Sequence, residues 1–141
     1  MSRYIVDASV AIKWFLPEPD DDKARLLLEA DHDLLAPDLL IAEVGNVLWK
    51  RFKRAELNLD EAQAILTGLE SIKIAWHPIA PLSPNALDIA CQLSRTVYDS
   101  LYLALAVIEH GVLVTSDERL YNAIATSELS SSIVLLAHFA A

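Results

Sequence analysis

Four acidic residues stand where apolar sequence would otherwise run on. Asp7 follows YIV, Glu43 interrupts LLIAEVGNVLW, Asp99 opens DSLYLALAVI and Asp117 follows VLVTS. A carboxylate withdrawn from water is costly unless a counter-charge compensates it, so four such placements ask for shared compensation. A bound divalent cation supplies it. Hard oxygen donors select Mg2+ or Mn2+ over zinc, which favours His or Cys. The 4 histidines, His32, His77, His110 and His138, are scattered without ligand spacing and read as solvent-facing or core hydrogen-bonding groups.

Each acid also has a plainer explanation. Asp7 and Asp99 both stand where an aspartate caps a following helix. For Asp117 a rival exists, because Thr115 and Glu118 have capping-box spacing and would leave it an ordinary first-turn acid. Glu43 escapes that account. It is the only charge between Asp38 and Lys50, and of its helical neighbours Leu39, Leu40, Asn46 and Val47 only Asn46 is polar. Its plain alternative is a stem that reaches solvent or an arginine partner. Asn46, one turn on, lies on the same side and is positioned to orient Glu43 or touch substrate, or else is merely structural.

These acids must be positioned by short strands and helices. RYIVDASVAIKWFL begins β-rich and changes period after Asp7, which predicts a buried strand feeding a helix. Asp20, Asp21 and Asp22 open a second helix, where negative charge suits the N-terminal dipole. A short apolar piece, LLAP, precedes a helix from about Asp38 to Lys53, and a further helix from about Leu59 to Ile74 pairs with it as a hairpin. AWHPIAP reads as a strand ending at its prolines, SPNALDIACQLSR as a helix, and DSLYLALAVIEHG as a buried helix closed by Gly111. VLVTS is a strand, ERLYNAIATS a short helix and SIVLLAHF a last strand. Strands alternating with helices predict an α/β fold with a mainly parallel sheet covered on both faces. Ligands bind beyond the carboxyl ends of such strands, where Asp7 and Asp117 fall.

At 141 residues the chain has the length of one domain, and residues 1–141 are read as such, with no internal repeat or linker. Hydrophobic residues make up 54% and charged residues 22%, which excludes intrinsic disorder. The formal charge of -9 opposes the basic footprint of an ordinary nucleic-acid binder. That objection weakens if acids hold cations, because an anionic substrate then meets the metal. Cys91 is the single cysteine, so no intrachain disulfide forms; a thiol filling core space is expected. The longest apolar run, Leu101 to Ile108, is too short for a membrane helix, and MSRYIVD lacks signal-peptide anatomy, so a cytoplasmic protein is expected.

The stretches IVDASVAIKWFLPE, LLAPDLLIAEVGNVLWK, TVYDSLYLALA and LVTSDERL, in this order, resemble a PIN-domain ribonuclease, and more narrowly the VapC toxins of bacterial toxin–antitoxin pairs. The resemblance spans nearly the whole chain and implies a PIN-like three-layer α/β/α domain. It matches Asp7, Glu43, Asp99 and Asp117 to the family's acidic quartet, with Asp7 and Asp99 as direct metal ligands. Ser9 and Thr115 match polar positions beside the site, and Ser100 stands where alanine is common. The activity implied is endoribonuclease cleavage dependent on one or two Mg2+ or Mn2+ ions, with in-line attack of an activated water on phosphorus. A homodimer is also implied, with a small VapB-type antitoxin that occludes the site and helps repress the shared operon.

Lys50, Arg51, Lys53 and Arg54 form the one dense basic cluster. They fit either a solvated helix C-terminus or an RNA phosphate contact. Trp14, Phe15, Leu16, Trp49 and Phe52 suit core packing, and any exposed remainder suits a groove for an antitoxin helix. Tyr98 and Tyr102 flank Asp99 and read as packing beside the pocket. Two other readings stay open: a nuclease of RNA processing with no cognate antitoxin, and a non-catalytic protein-binding module. A phosphoacceptor receiver is disfavoured because no lysine follows Lys73.

Overall fold

The computed structural model describes residues 2–29 and 31–140. Five strands form one sheet: β1 (Ser2–Val6), β2 (His32–Pro37), β3 (Ala75–His77), β4 (Val112–Thr115) and β5 (Ile133–Leu135). They lie in the order β3-β2-β1-β4-β5, and every neighbouring pair is parallel. Successive strand residues face opposite sides of a sheet, so a sheet solvated on one face alternates buried with exposed. Here Ile5 and Val6, Leu113 and Val114, and Leu34, Leu35 and Ala36 are all buried. Both faces are therefore covered, as parallel strands require.

Seven helices provide that cover: α1 (Ala8–Ala11), α2 (Asp21–Leu26), α3 (Leu39–Lys53), α4 (Leu59–Ser71), α5 (Ile79–Leu93), α6 (Val97–Ile108) and α7 (Glu118–Ala125). Ser100 through Ala106 are buried without a break, so α6 has no solvent face along that stretch. It lies against β1, β2 and β4 and packs along α5. Ser100, Ala104 and Ala106 keep its girth small enough for that position. The expected α3–α4 hairpin forms, with α4 opened by a reciprocal Asn58–Glu61 capping box. Phe15 is seated against Gly68 of α4, where a Cβ would come within 2.8 Å of its ring.

Several boundaries differ from the sequence expectation. The strand expected over AWHPIAP is only Ala75–His77, and α5 starts at Ile79 with Pro81 inside its first turn, where the missing N–H has no intrahelical acceptor to lose. Pro84 lies further along the same helix. The helix expected to Ile74 stops at Ser71, and the last strand is Ile133–Leu135 followed by a 3-10 turn. Helix α6 is not closed by a left-handed glycine. His110 takes the positive φ of 53° instead, and Gly111 is required for space, since a Cβ there would meet Ile5 Cδ1 at 2.7 Å and Arg3 O at 2.9 Å. Cys91 is exposed and fills no core space, because it lies on the outer side of α5, away from buried Leu82 and Ala86.

Candidate active site

The chain leaves β1 toward β2 and leaves β4 toward β5, although β1 and β4 are hydrogen-bonded neighbours. Their carboxyl ends thus flank the point where the winding reverses, the usual ligand position in a parallel sheet. Val6 pairs with Val114, so Asp7 and Thr115 emerge side by side. Asp7 caps α1 and is only 8% exposed. Its Oδ1 accepts from Ser9 Oγ at 2.5 Å and Val10 N at 3.3 Å, and its Oδ2 accepts from Thr115 Oγ1.

The same two hydroxyls also meet the backbone. Ser9 Oγ accepts from Ser116 N at 2.9 Å and Thr115 Oγ1 accepts from Asp117 N at 3.1 Å. Each hydroxyl accepts an amide through one lone pair and keeps its single hydrogen for the ionised Asp7 carboxylate, the strongest acceptor in reach, while the two hydroxyl oxygens lie 3.4 Å apart. The pair therefore clamps Asp7 as an acceptor while tying it to the loop that begins α7. Burial raises the Asp7 carboxyl to about 6; the bonds from Ser9, Thr115 and Val10 oppose the rise and the charge of Glu43 adds to it.

Glu43, on α3, is half-buried, and Tyr102 Oη donates to its Oε1 at 2.5 Å. Burial raises its carboxyl, opposed by the Tyr102 bond and reinforced by Asp99. Asp99 is not the cap of α6. Thr96 takes that role, accepting from Asp99 N at 3.1 Å, which leaves the Asp99 carboxylate outside the capping contact. Burial raises it too, with the charge of Asp117 adding and Arg95 opposing. Asp117 is the cap of α7, accepting from Arg119 N at 3.0 Å and Leu120 N at 3.1 Å, so the alternative Thr115–Glu118 box does not form. Repulsion therefore runs from Asp7 to Glu43, to Asp99 and to Asp117, and acids more than a hundred residues apart share one field.

The PIN domain family matches residues 4–125. The chain belongs to this family. It is similar to Ribonuclease VapC3 of Pyrobaculum aerophilum, with 34% identity over 84% of this chain and 92% of that relative. Among solved structures it resembles Mycobacterium tuberculosis VapC20, described as a sarcin-ricin loop cleaving toxin, with TM-score 0.68, 14% identity and coverage of 85% of this chain and 94% of that one. It also resembles VapBC2 from Rickettsia felis bound to a DNA fragment from its promoter, with TM-score 0.65, 15% identity and coverage of 94% and 96%.

The donor set of this PIN domain suits a hard divalent cation in kind: the carboxyls of Asp7, Glu43 and Asp99, raised by burial and by neighbouring charge, would be relieved by a bound cation. Among the described residues no three His, Cys, Asp or Glu side chains gather closely enough to ligate one ion together. Asp7, Glu43 and Asp117 each hold hydrogen-bond donors of their own. Joint ligation therefore requires side-chain rotation, most of all from Asp117, whose Oδ1 is engaged by two α7 amides.

Other expected residues lie further from this field. Asn46 is exposed and its side chain has no hydrogen bond among the described residues; the group that orients Glu43 is Tyr102. The signal was its spacing, three residues after Asp99 on one helix, but a tyrosine amid LYLALA reads as core. Arg51 is tied to Glu18 and also faces Glu56 at 3.8 Å, and Lys53 Nζ lies 4.3 Å from the Trp49 ring centroid. Lys50 and Arg54 remain exposed. Trp14 donates its Nε1 to Ala24 O at 2.8 Å and packs against the core, as do Phe15 and Leu16, while Trp49 and Phe52 are exposed.

Proposed function

We propose that this PIN domain is a metal-dependent endoribonuclease, the toxin of a VapBC-type toxin–antitoxin pair. The observation that carries the reading is the buried Asp7, clamped by Ser9 and Thr115 at the sheet's switch point and coupled to Glu43, which is coupled in turn to Asp99, and Asp99 to Asp117. Bare carboxylates repel a phosphodiester, so substrate approach requires the local field to be reversed. Bound Mg2+ or Mn2+ supplies that reversal together with Lewis-acid polarisation and a low-pKa water. Asp7 and Asp99 hold it, with Glu43 and Asp117 completing the set. Ser9 and Thr115 keep Asp7 ionised and fixed, acting on the ligand rather than on substrate. Exposed Lys50 and Arg54 offer phosphate contacts along the RNA.

The VapC ribonucleases and the VapBC complex among its relatives support the antitoxin. Trp49, Phe52 and Leu59 are exposed and, with Leu48, Ala62 and Leu66, line an apolar cleft of about 250 Å³ between α3 and α4. An amphipathic helix fits such a cleft, and Lys53 over Trp49 favours acidic residues on its flank. We assign this cleft to the antitoxin. Val107 and Ile108 of α6, with Ile89 and Leu93 of α5, line a second surface, which we assign to a homodimer partner. Among the described residues no helix is long and apolar enough to cross a membrane, and the reading places the protein in the cytoplasm with its RNA substrate. The test is RNA cleavage in Mn2+ by the wild type, Asp7→Asn and Asp99→Asn. Cleavage lost in both variants and abolished by chelation is expected; undiminished cleavage by either rejects the assignment.

A further inference from the structure

We propose that Tyr102 is a positioning residue of the cation site, holding Glu43 by one oxygen so that only the other is offered to the metal. This rests on the metal-site reading above. Tyr102 lies in the continuously buried part of α6 and is 2% exposed, so its ring is core and its hydroxyl is the one polar atom it must satisfy. That hydroxyl goes to Glu43 Oε1 at 2.5 Å, across from α6 to α3. Among the described residues Glu43 Oε1 receives that single donor and Oε2 receives none. Glu43 is thereby divided into a structural oxygen and a free one.

The geometry has a chemical consequence. A glutamate with both oxygens free swings on three rotatable bonds and can bind a cation through either oxygen or both. With Oε1 held, fewer rotamers are open to Glu43, so less side-chain entropy is lost when it orders at a cation. Asp99 and Tyr102 lie three residues apart on one helix, so the residue that supplies a carboxylate and the residue that orients another move as a unit.

Calorimetric titration of Mn2+ into the apo-protein tests this without cleavage. Tyr102→Phe keeps the ring and removes one oxygen, so its melting temperature should stay within about 4 °C of wild type. Its Mn2+ affinity should fall by about 10-fold or more, the usual effect of losing a partner of a metal ligand. In a Glu43→Ala background the same substitution should change the affinity less than about 2-fold, because the group it positions is gone. Equal affinity of wild type and Tyr102→Phe overturns the proposal, as does an undiminished loss in the Glu43→Ala background, which means general disruption. Absence of saturable Mn2+ binding by the wild type overturns the metal-site reading itself and this inference with it.

Discussion

Asp7 should make the metal-free protein less stable as pH rises. Its folded carboxyl lies at about 6 against an ordinary 3.8. The folded state therefore binds the proton more tightly than the unfolded chain, so the stabilising contribution is complete below 3.8 and is lost as pH climbs through about 6. Above that, ionised Asp7 costs the fold about 3 kcal/mol relative to the protonated group, from a shift of about two units. Between pH 8 and pH 5 the recovered part is about 1.4 kcal/mol, since at pH 5 the folded group is mostly protonated and the unfolded one mostly not. Glu43 and Asp99 are raised in the same sense, so the wild-type slope alone does not isolate Asp7. Urea unfolding at both pH values, on chelator-treated wild type and Asp7→Asn, does so by difference. Asn cannot ionise, so the variant should gain about 1.4 kcal/mol less than wild type on going from pH 8 to pH 5. Saturating Mn2+ should erase the difference at pH 8 by stabilising only the wild type. Identical pH responses of the two proteins would refute the burial argument for Asp7.

Removing either hydroxyl clamp, by Ser9→Ala or Thr115→Val, should raise the Asp7 pKa further, followed by NMR titration, and should lower metal-free stability at pH 8 by about 1 to 2 kcal/mol. Thr96→Ala should cost about 1 kcal/mol in thermal unfolding through loss of the α6 cap. Charge reversal at two exposed cations, Lys50→Glu with Arg54→Glu, should flatten the salt dependence of single-stranded RNA binding by about 1.4 log units per decade of salt. Fluorescence titration across salt concentrations reads that slope, and an unchanged value removes these side chains from the RNA path.

Much was legible from local pattern. Asp7 and Asp117 were placed at strand ends because the change of period after YIV and VLVTS marks where a strand stops. Burial of Leu101 to Ala106 follows from its unbroken apolar composition, whereas Val107 and Ile108, which the same pattern covers, are exposed. Less legible were caps and boundaries, where several local solutions compete. Thr96 rather than Asp99 caps α6, and although β3 does stop before Pro78, that proline is the N-cap of α5 and Pro81 lies inside the same helix. Tyr102 was hidden because its ring belongs to the core and only its hydroxyl to the site.

The sequence by itself determined which side chains are ionisable amid apolar surroundings and the period of the elements that carry them, because both depend on neighbours within a turn or two. Only the tertiary structure decided that β1 lies next to β4, so that Asp7 meets Thr115 across 108 residues, and that Tyr102 of α6 comes within hydrogen-bond reach of Glu43 of α3. Those contacts follow from burying both faces of the sheet at once, a global packing condition that no local stretch of chain encodes.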